Sequence, residues 1–297
     1  MRIDLYCLIL IILLSLVFIM YFSLKINSIK FKFSDKNTID EKNTVPVTDP
    51  LLKKVFRLYY INLEKDIERK NRFLSNLEKA NCDLDVNRVE AIGIDDFKKY
   101  KFIRPVQCKK HMKWLVKSNR VQDIEFCCLL SHIKAIHQAY IDGNEYALIM
   151  EDDMYFLRYP NWMEVIKSCP EDAEMLQLYM SDGNFDVYSL KEKWVKDTFF
   201  STGAYMINKK GMEQVLRNTL GVEYDREWSD INVIDFTTGN KKSLCIADNY
   251  LWNTYNKYMY TSILFNTEGL DSTIHPDHLV FHNYAIEKIN ELFKEGY

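Results

Sequence analysis

The sequence predicts an α/β domain built on a mainly parallel sheet and preceded by one membrane-spanning helix. Three observations predict it. From about residue 52, short apolar runs alternate with segments of helical periodicity. One of those runs, Glu145 to Met150, leads directly into three adjacent carboxylates, Glu151, Asp152 and Asp153. At the other end of the chain, Leu5 to Phe22 (LYCLILIILLSLVFIMYF) carries no charge and is just long enough to cross a bilayer core.

Residues 5–22 read as a retained anchor, because a cleavable signal would have a shorter apolar core and a small-residue cleavage site. Arg2 and the amino terminus precede this run, offset by Asp4, and Lys25, Lys30 and Lys32 follow it. The positive-inside tendency favours a cytosolic body only mildly, so the topology stays open. Residues 23–51 are polar, hold Pro46 and Pro50, and form a tether, which leaves 52–297 as the folded body.

Within the body, Val55 to Asn62 (VFRLYYIN) predicts a first strand. Asp66 to Asn81 follows as a helix, with Ile67, Phe73, Leu74, Leu77 and Ala80 near helical spacing. A second strand is expected over Asn87 to Ile92, a strongly apolar helix over Glu125 to Ile141, and a buried strand over Glu145 to Met150. Further strands are expected at Met175 to Met180, Gly203 to Asn208 and Ser243 to Ile246. The segment Lys101 to Arg120 breaks this rhythm, with Lys101, Arg104, Lys109, Lys110, Lys113, Lys117 and Arg120 and no acidic residue. It is either a solvated insertion or a face for an acidic acceptor, a phosphate or a membrane surface.

The chain of 297 residues is 47% hydrophobic, enough for a sizeable core, and its formal charge of −3 argues against nucleic acid as a partner. Its seven cysteines (Cys7, Cys82, Cys108, Cys127, Cys128, Cys169 and Cys245) show no C-x-x-C spacing, so no zinc site is expected. Spacing cannot pair them into disulfides either.

The acidic triplet is the strongest chemical feature. A buried strand that ends in carboxylates places them at the carboxyl edge of a sheet, where ligands bind in open α/β folds. Adjacent carboxylates repel one another unless a cation or a basic residue compensates. Oxygen ligands of this kind suit Mg²⁺ or Mn²⁺, which commonly bridge to substrate phosphates. Alternation along an extended chain points Glu151 and Asp153 one way and Asp152 the other, so Glu151 and Asp153 are the expected metal ligands. On the triplet alone, an acidic loop or a helix N-terminus is the better reading, because acidic triplets are common.

Four segments, in order, change that balance: Tyr60-Ile61-Asn62-Leu63 with Arg69 following, Cys128-Leu129-Leu130-Ser131-His132, Ala147 to Asp153, and Ser201-Thr202-Gly203-Ala204-Tyr205. Ala247-Asp248-Asn249-Tyr250-Leu251 is a weaker fifth. Together they resemble glycosyltransferase family 25, which includes bacterial lipooligosaccharide galactosyltransferases and collagen galactosyltransferases. The resemblance spans roughly Tyr59 to Asn253. It implies a Rossmann-like nucleotide-sugar-binding domain of the glycosyltransferase A type, UDP-galactose as a frequent donor, a glycan or hydroxylated protein as acceptor, and inversion at the anomeric carbon. Inversion needs one displacement with a carboxylate as base, and Asp248 matches the family's late aspartate. Asp248 reads equally as the N-cap of a helix beginning at Asn249.

The same resemblance places Asn62, Arg69, Ser131, His132, Asp152 and Thr202 around the donor, with Asp153 taking part in the chemistry. Arg69 either pairs with the diphosphate or bridges Asp66 or Glu68. His132 either faces the cleft or is a satisfied structural histidine. His275, His278 and His282 lie near Asp277, but Pro276 and the lack of an H-E-x-x-H pattern argue against zinc; one of the three is available to complete a metal shell or cover the donor. Tyr188, Trp194, Trp228 and Tyr250 are either sugar-stacking rings or core residues. Cys127 stands where the family often has glycine, and the basic segment leaves the acceptor open. Two other classes fit less well. A catalytically silent relative would not need the intact triplet and Asp248. A phosphohydrolase would need further His or Asp ligands at regular spacing.

Overall fold

The computed structural model describes residues 55–103, 122–191, 193–197, 199–236, 246–269 and 279–296. All lie in the second of the two units into which the chain divides, residues 45–297. The expected anchor and tether, most of the basic segment, residues 243–245, and His275 and His278 lie outside the described residues. Among the described residues no helix is long and apolar enough to cross a membrane.

In chain order the elements are β1 (Phe56–Asn62), α1 (Ile67–Lys79), β2 (Val86–Glu90), α2 (Ile94–Phe97), β3 (Lys101–Ile103), α3 (Gln122–Ile141), β4 (Tyr146–Glu151) and β5 (Met154–Phe156). They continue with α4 (Trp162–Lys167), β6 (Met175–Gln177), β7 (Trp194–Val195), β8 (Ala204–Asn208), α5 (Lys209–Leu220), β9 (Val233–Asp235), α6 (Ala247–Thr254), β10 (Lys257–Tyr260), β11 (Phe265–Thr267) and α7 (Leu279–Lys294). Seven strands form one sheet in the order β2-β1-β4-β8-β6-β10-β7, while β5 pairs with β11 and β3 with β9.

The sheet is mixed, which corrects the expectation of a mainly parallel one. β1 runs parallel to β2 and β4, and β6 parallel to β10, but β8 lies antiparallel between β4 and β6, and β7 is antiparallel to β10. The reason the sequence did not show this is physical. A strand buried on both faces reads as an unbroken apolar run whichever way it points.

Alternation along β1 and β4 builds two apolar layers, one on each face. Tyr59, Ile61, Ala147 and Ile149 pack with α3, whose Leu129, Ile133 and Ile136 are fully buried. Phe56, Leu58, Tyr60, Leu148 and Met150 pack with Phe73 and Leu77 of α1. This two-sided burial, worth roughly 1.5–3 kcal/mol per large side chain, fixes the register and hence which way the residues at the strand ends point.

Helix α5 approaches the sheet edge through Gly211. A Cβ there would meet the Glu174 carbonyl oxygen and lie 2.9 Å from Ile207 Cγ1. Gly211→Ala is therefore expected to cost about 1–3 kcal/mol, against the usual helix-propensity gain of alanine, as read by urea denaturation.

Candidate active site

β4 ends at Glu151, and Asp152 and Asp153 form the turn into β5. Glu151 continues the Ala147 and Ile149 face and reaches α3, while Asp152 continues the Leu148 and Met150 face and reaches α1. Glu151 Oε1 lies 3.3 Å from His132 Nε2 and accepts a hydrogen bond from Thr202 Oγ1 at 3.2 Å. Its backbone N–H donates to the Gly203 carbonyl at 2.8 Å. Asp152 accepts from Asn62 Nδ2 at 2.7 Å and from Arg69 Nε at 2.9 Å, and a second Arg69 nitrogen closes the fork. Asp153 lies 3.7 Å from the same guanidinium, and its carbonyl is held by the Glu268 N–H at 2.9 Å. Alternation therefore separates Glu151 from Asp152 as expected. Extension stops after Glu151, however, and the turn brings Asp153 to the Arg69 side with Asp152, which corrects the expectation that Asp153 shares the Glu151 face.

Asn62 and Arg69 therefore act through Asp152. Asn62 is itself fixed by Arg88, whose Nε donates to its Oδ1 at 3.0 Å. Arg69 does not bridge helix carboxylates; Arg72 takes Glu68 instead. The Ser131 hydroxyl donates to the Cys127 carbonyl at 2.7 Å and accepts from the Ile92 N–H at 2.8 Å, tying α3 to the segment after β2. Its proton is thus spent within the fold, although Ser131 lines the pocket. That pocket lies at the carboxyl ends of β1, β2 and β4, between Asn62, Arg69, Ile92, Cys128, His132 and Asp152.

The opposite wall is the segment before β8. Ser201 has φ +128°, a left-handed backbone angle that favours glycine. It is held by Gln177 Nε2 and Trp252 Nε1, both donating to its carbonyl, and this presents Thr202 to Glu151. At Gly203 a Cβ would lie 2.7 Å from Met154 Sδ, so the close approach needs glycine. Asp248 sits in the first turn of α6. The N-cap is Ile246, so Asp248 does not cap the helix. Its carboxylate interacts with Thr202, Glu151 and His132.

Electrostatics follow from this crowding. Burial, Glu151 and Asp152 push the Asp153 carboxyl up to about 7 against the pull of Arg69. Burial and the Glu151 charge push Asp248 up to about 6, against His132 and Thr202. Burial also raises Glu151, but the hydrogen bond and charge of His132, Thr202 and the charge of His282 outweigh it and hold Glu151 below the usual range. Because the folded Asp153 keeps its proton to higher pH than the unfolded chain, its contribution to stability falls as pH rises from about 4 through about 7. Asp153→Asn is expected to stabilise the metal-free protein at pH 8 by about 1–4 kcal/mol, with the gain vanishing near pH 4 in thermal melts.

Glu151, His132, Thr202 and Asp248 thus meet on one side of the edge, and Asn62, Arg69, Asp152 and Asp153 on the other. His282, on α7, is the one late histidine among the described residues, and its charge reaches Glu151. The four singled-out aromatics do not line the pocket. Tyr188 and Tyr250 are buried in the core, Trp194 packs on Tyr260, and Trp228 donates to Tyr100. Cys128 was missed as a potential ligand. Among the described residues, one set of three ligand atoms lies within 4.8 Å of one another, and it is Cys128, His132 and Glu151. A search for C-x-x-C could not find it; Cys and His four apart on one helix was the available signal.

The family model for glycosyltransferase family 25 (LPS biosynthesis protein) matches residues 56–228, more than half of the chain. The chain belongs to glycosyltransferase family 25. As a member it is a transferase enzyme, and the match contains the triplet, His132 and Thr202, while Asp248 lies beyond it. No curated protein matches the chain. Among solved structures, a glycosyltransferase involved in glycosylation of the major capsid of PBCV-1 is 9% identical at a TM-score of 0.28, covering 55% of this chain and 67% of its own. The galactosyltransferase LgtC, in complex with donor and acceptor sugar analogues, is 10% identical at 0.35, covering 80% of this chain and 95% of its own. Family membership rests on the sequence match.

Proposed function

We propose that this family 25 glycosyltransferase moves a hexose, with UDP-galactose as the favoured donor, to a hydroxyl of a glycan or hydroxylated protein by a metal-dependent, inverting displacement. One observation carries the reading: a carboxylate with its pKa near 6, Asp248, stands beside the acidic sheet edge yet apart from the turn that holds Asp152 and Asp153. That is the arrangement a base distinct from the donor-binding carboxylates requires.

The residues present fit a divalent ion. Asp153 is raised to about 7 by burial beside Glu151, so this edge is short of positive charge, and Glu151 with Asp153 would hold Mn²⁺ or Mg²⁺. When bound, such an ion neutralises charge on the departing diphosphate. The chain's own groups do the rest. Asn62 and Arg69 lock Asp152 at the pocket wall where the nucleotide is expected. Thr202 and His132 together orient the Glu151 carboxylate. Asp248, ionised above about pH 6, takes the proton from the acceptor hydroxyl as that oxygen attacks the anomeric carbon. The galactose preference is supported by the family resemblance alone. Residues 5–22 are proposed to anchor the enzyme to a membrane, supported by their uncharged apolar run.

The test is a donor screen on the full chain, following release of nucleoside diphosphate from a panel of nucleotide sugars with Mn²⁺ or with EDTA. Metal-dependent release that disappears in Glu151→Gln supports the reading, and an anomeric configuration opposite to the donor in the product supports inversion. A donor that binds but never turns over with any hydroxyl acceptor would point to a silent relative.

A further inference from the structure

We propose that Cys128, His132 and Glu151 form a site for a thiophilic divalent cation, Zn²⁺, with a donor set distinct from the oxygen pair Glu151 and Asp153. The three ligand atoms lie within 4.8 Å of one another. Cys128 and His132 are four residues apart on α3 and so share a face, and Glu151 arrives from the end of β4 across the pocket. One sulfur, one imidazole nitrogen and one carboxylate oxygen, with a fourth position open to the pocket, is a donor set that zinc accepts and that Mg²⁺ does not favour.

Two further observations point to a ligand. The surroundings already orient the histidine. Its Nε2 faces Glu151, while Nδ1 lies 3.2 Å from the Tyr205 hydroxyl, which can accept an Nδ1 proton when Nε2 turns its lone pair to a metal. A partner on the far nitrogen is the usual support of a metal-bound histidine. The Cys128 sulfur, half-buried at the pocket wall, makes no hydrogen bond among the described residues, whereas Cys169 Sγ donates to the Val165 carbonyl. On binding, the Cys128 thiol proton passes to solvent as the Zn–S bond forms. Because the site shares Glu151 with the proposed catalytic ion, Zn²⁺ there opposes Mn²⁺-dependent transfer. That consequence rests on the proposed function, while the binding itself does not.

The experiment is a titration of the full-length, metal-free protein with Co²⁺, read by absorption, followed by displacement with Zn²⁺. A thiolate-to-cobalt charge-transfer band is expected that Zn²⁺ removes at one equivalent. It should be lost in Cys128→Ser and retained in Cys127→Ser, with Zn²⁺ affinity falling at least about 100-fold in the former. A band that survives in folded Cys128→Ser, or no band in the wild type, overturns the proposal. A second reading needs no variant. Zn²⁺, but not Mg²⁺, should slow alkylation of Cys128 at least tenfold in peptide maps while leaving Cys82 and Cys169 unchanged; equal labelling with and without Zn²⁺ overturns it. Neither reading depends on turnover, so failure of the site and failure of the transferase assignment are distinguishable.

Discussion

Asp248→Asn is expected to lower kcat by about 10²- to 10⁴-fold, the usual worth of a positioned base, while donor affinity stays within about threefold. The amide keeps the shape of the carboxylate and can still meet Thr202, but it cannot take a proton. Asp248 sits in the first turn of α6, so the loss of its charge there costs a few tenths of a kcal/mol to about 1 kcal/mol of helix stability. The folded state is otherwise relieved of a buried carboxylate crowded by Glu151. The pH profile carries the sign. With the pKa near 6, the wild-type rate should fall tenfold per unit below about pH 6 as Asp248 protonates, and the variant should lose that limb. Steady-state kinetics between pH 5 and pH 8, on a log scale of roughly three units, would read both.

Arg69→Met is expected to have the largest effect on stability. Asp152, with its side chain only 8% exposed, would keep Asn62 but lose its countercharge. Stranding one member of a buried pair costs about 3–5 kcal/mol, and for a domain of this size that corresponds to a Tm lower by roughly 10 °C. Asp152→Asn should cost less, because Arg69 is more exposed and can hydrate. The double variant Arg69→Met/Asp152→Leu should recover part of the loss, and the coupling energy from the thermal-denaturation cycle would measure the pair.

These two residues also mark what the chain disclosed before it was folded. β1, α1, α3 and β4 were legible because both faces of the sheet are buried, which makes each strand an apolar run, gives α1 its helical periodicity and makes α3 apolar over most of its length. Alternation then correctly separated Glu151 from Asp152. Strand direction was not legible, since β8 has the same apolar character as β4 and β6, to which it runs antiparallel. The roles of Asn62, Arg69 and Ser131 were only half legible. Their place at the pocket follows from the segments they occupy, but their hydrogen bonds depend on partners 83 to 90 residues away for Asn62 and Arg69, and 39 residues away for Ser131. Asp248 looked like a cap because it precedes a helix. The helix in fact begins two residues earlier than expected, at Ala247, which frees the carboxylate to face Thr202. Cys128 was hidden because its two ligand partners come from different signals, a helical spacing and a strand end.

The acidic edge is proposed to bind a nucleoside diphosphate through a divalent ion held by Glu151 and Asp153. The most direct measurement is calorimetric titration of UDP into the wild type and Asp153→Asn, each with Mn²⁺ and with EDTA. Mn²⁺ is expected to tighten UDP binding at least about tenfold in the wild type, about 1.4 kcal/mol, and to have little effect in the variant. Equal affinity with Mn²⁺ and with EDTA in the wild type would contradict it.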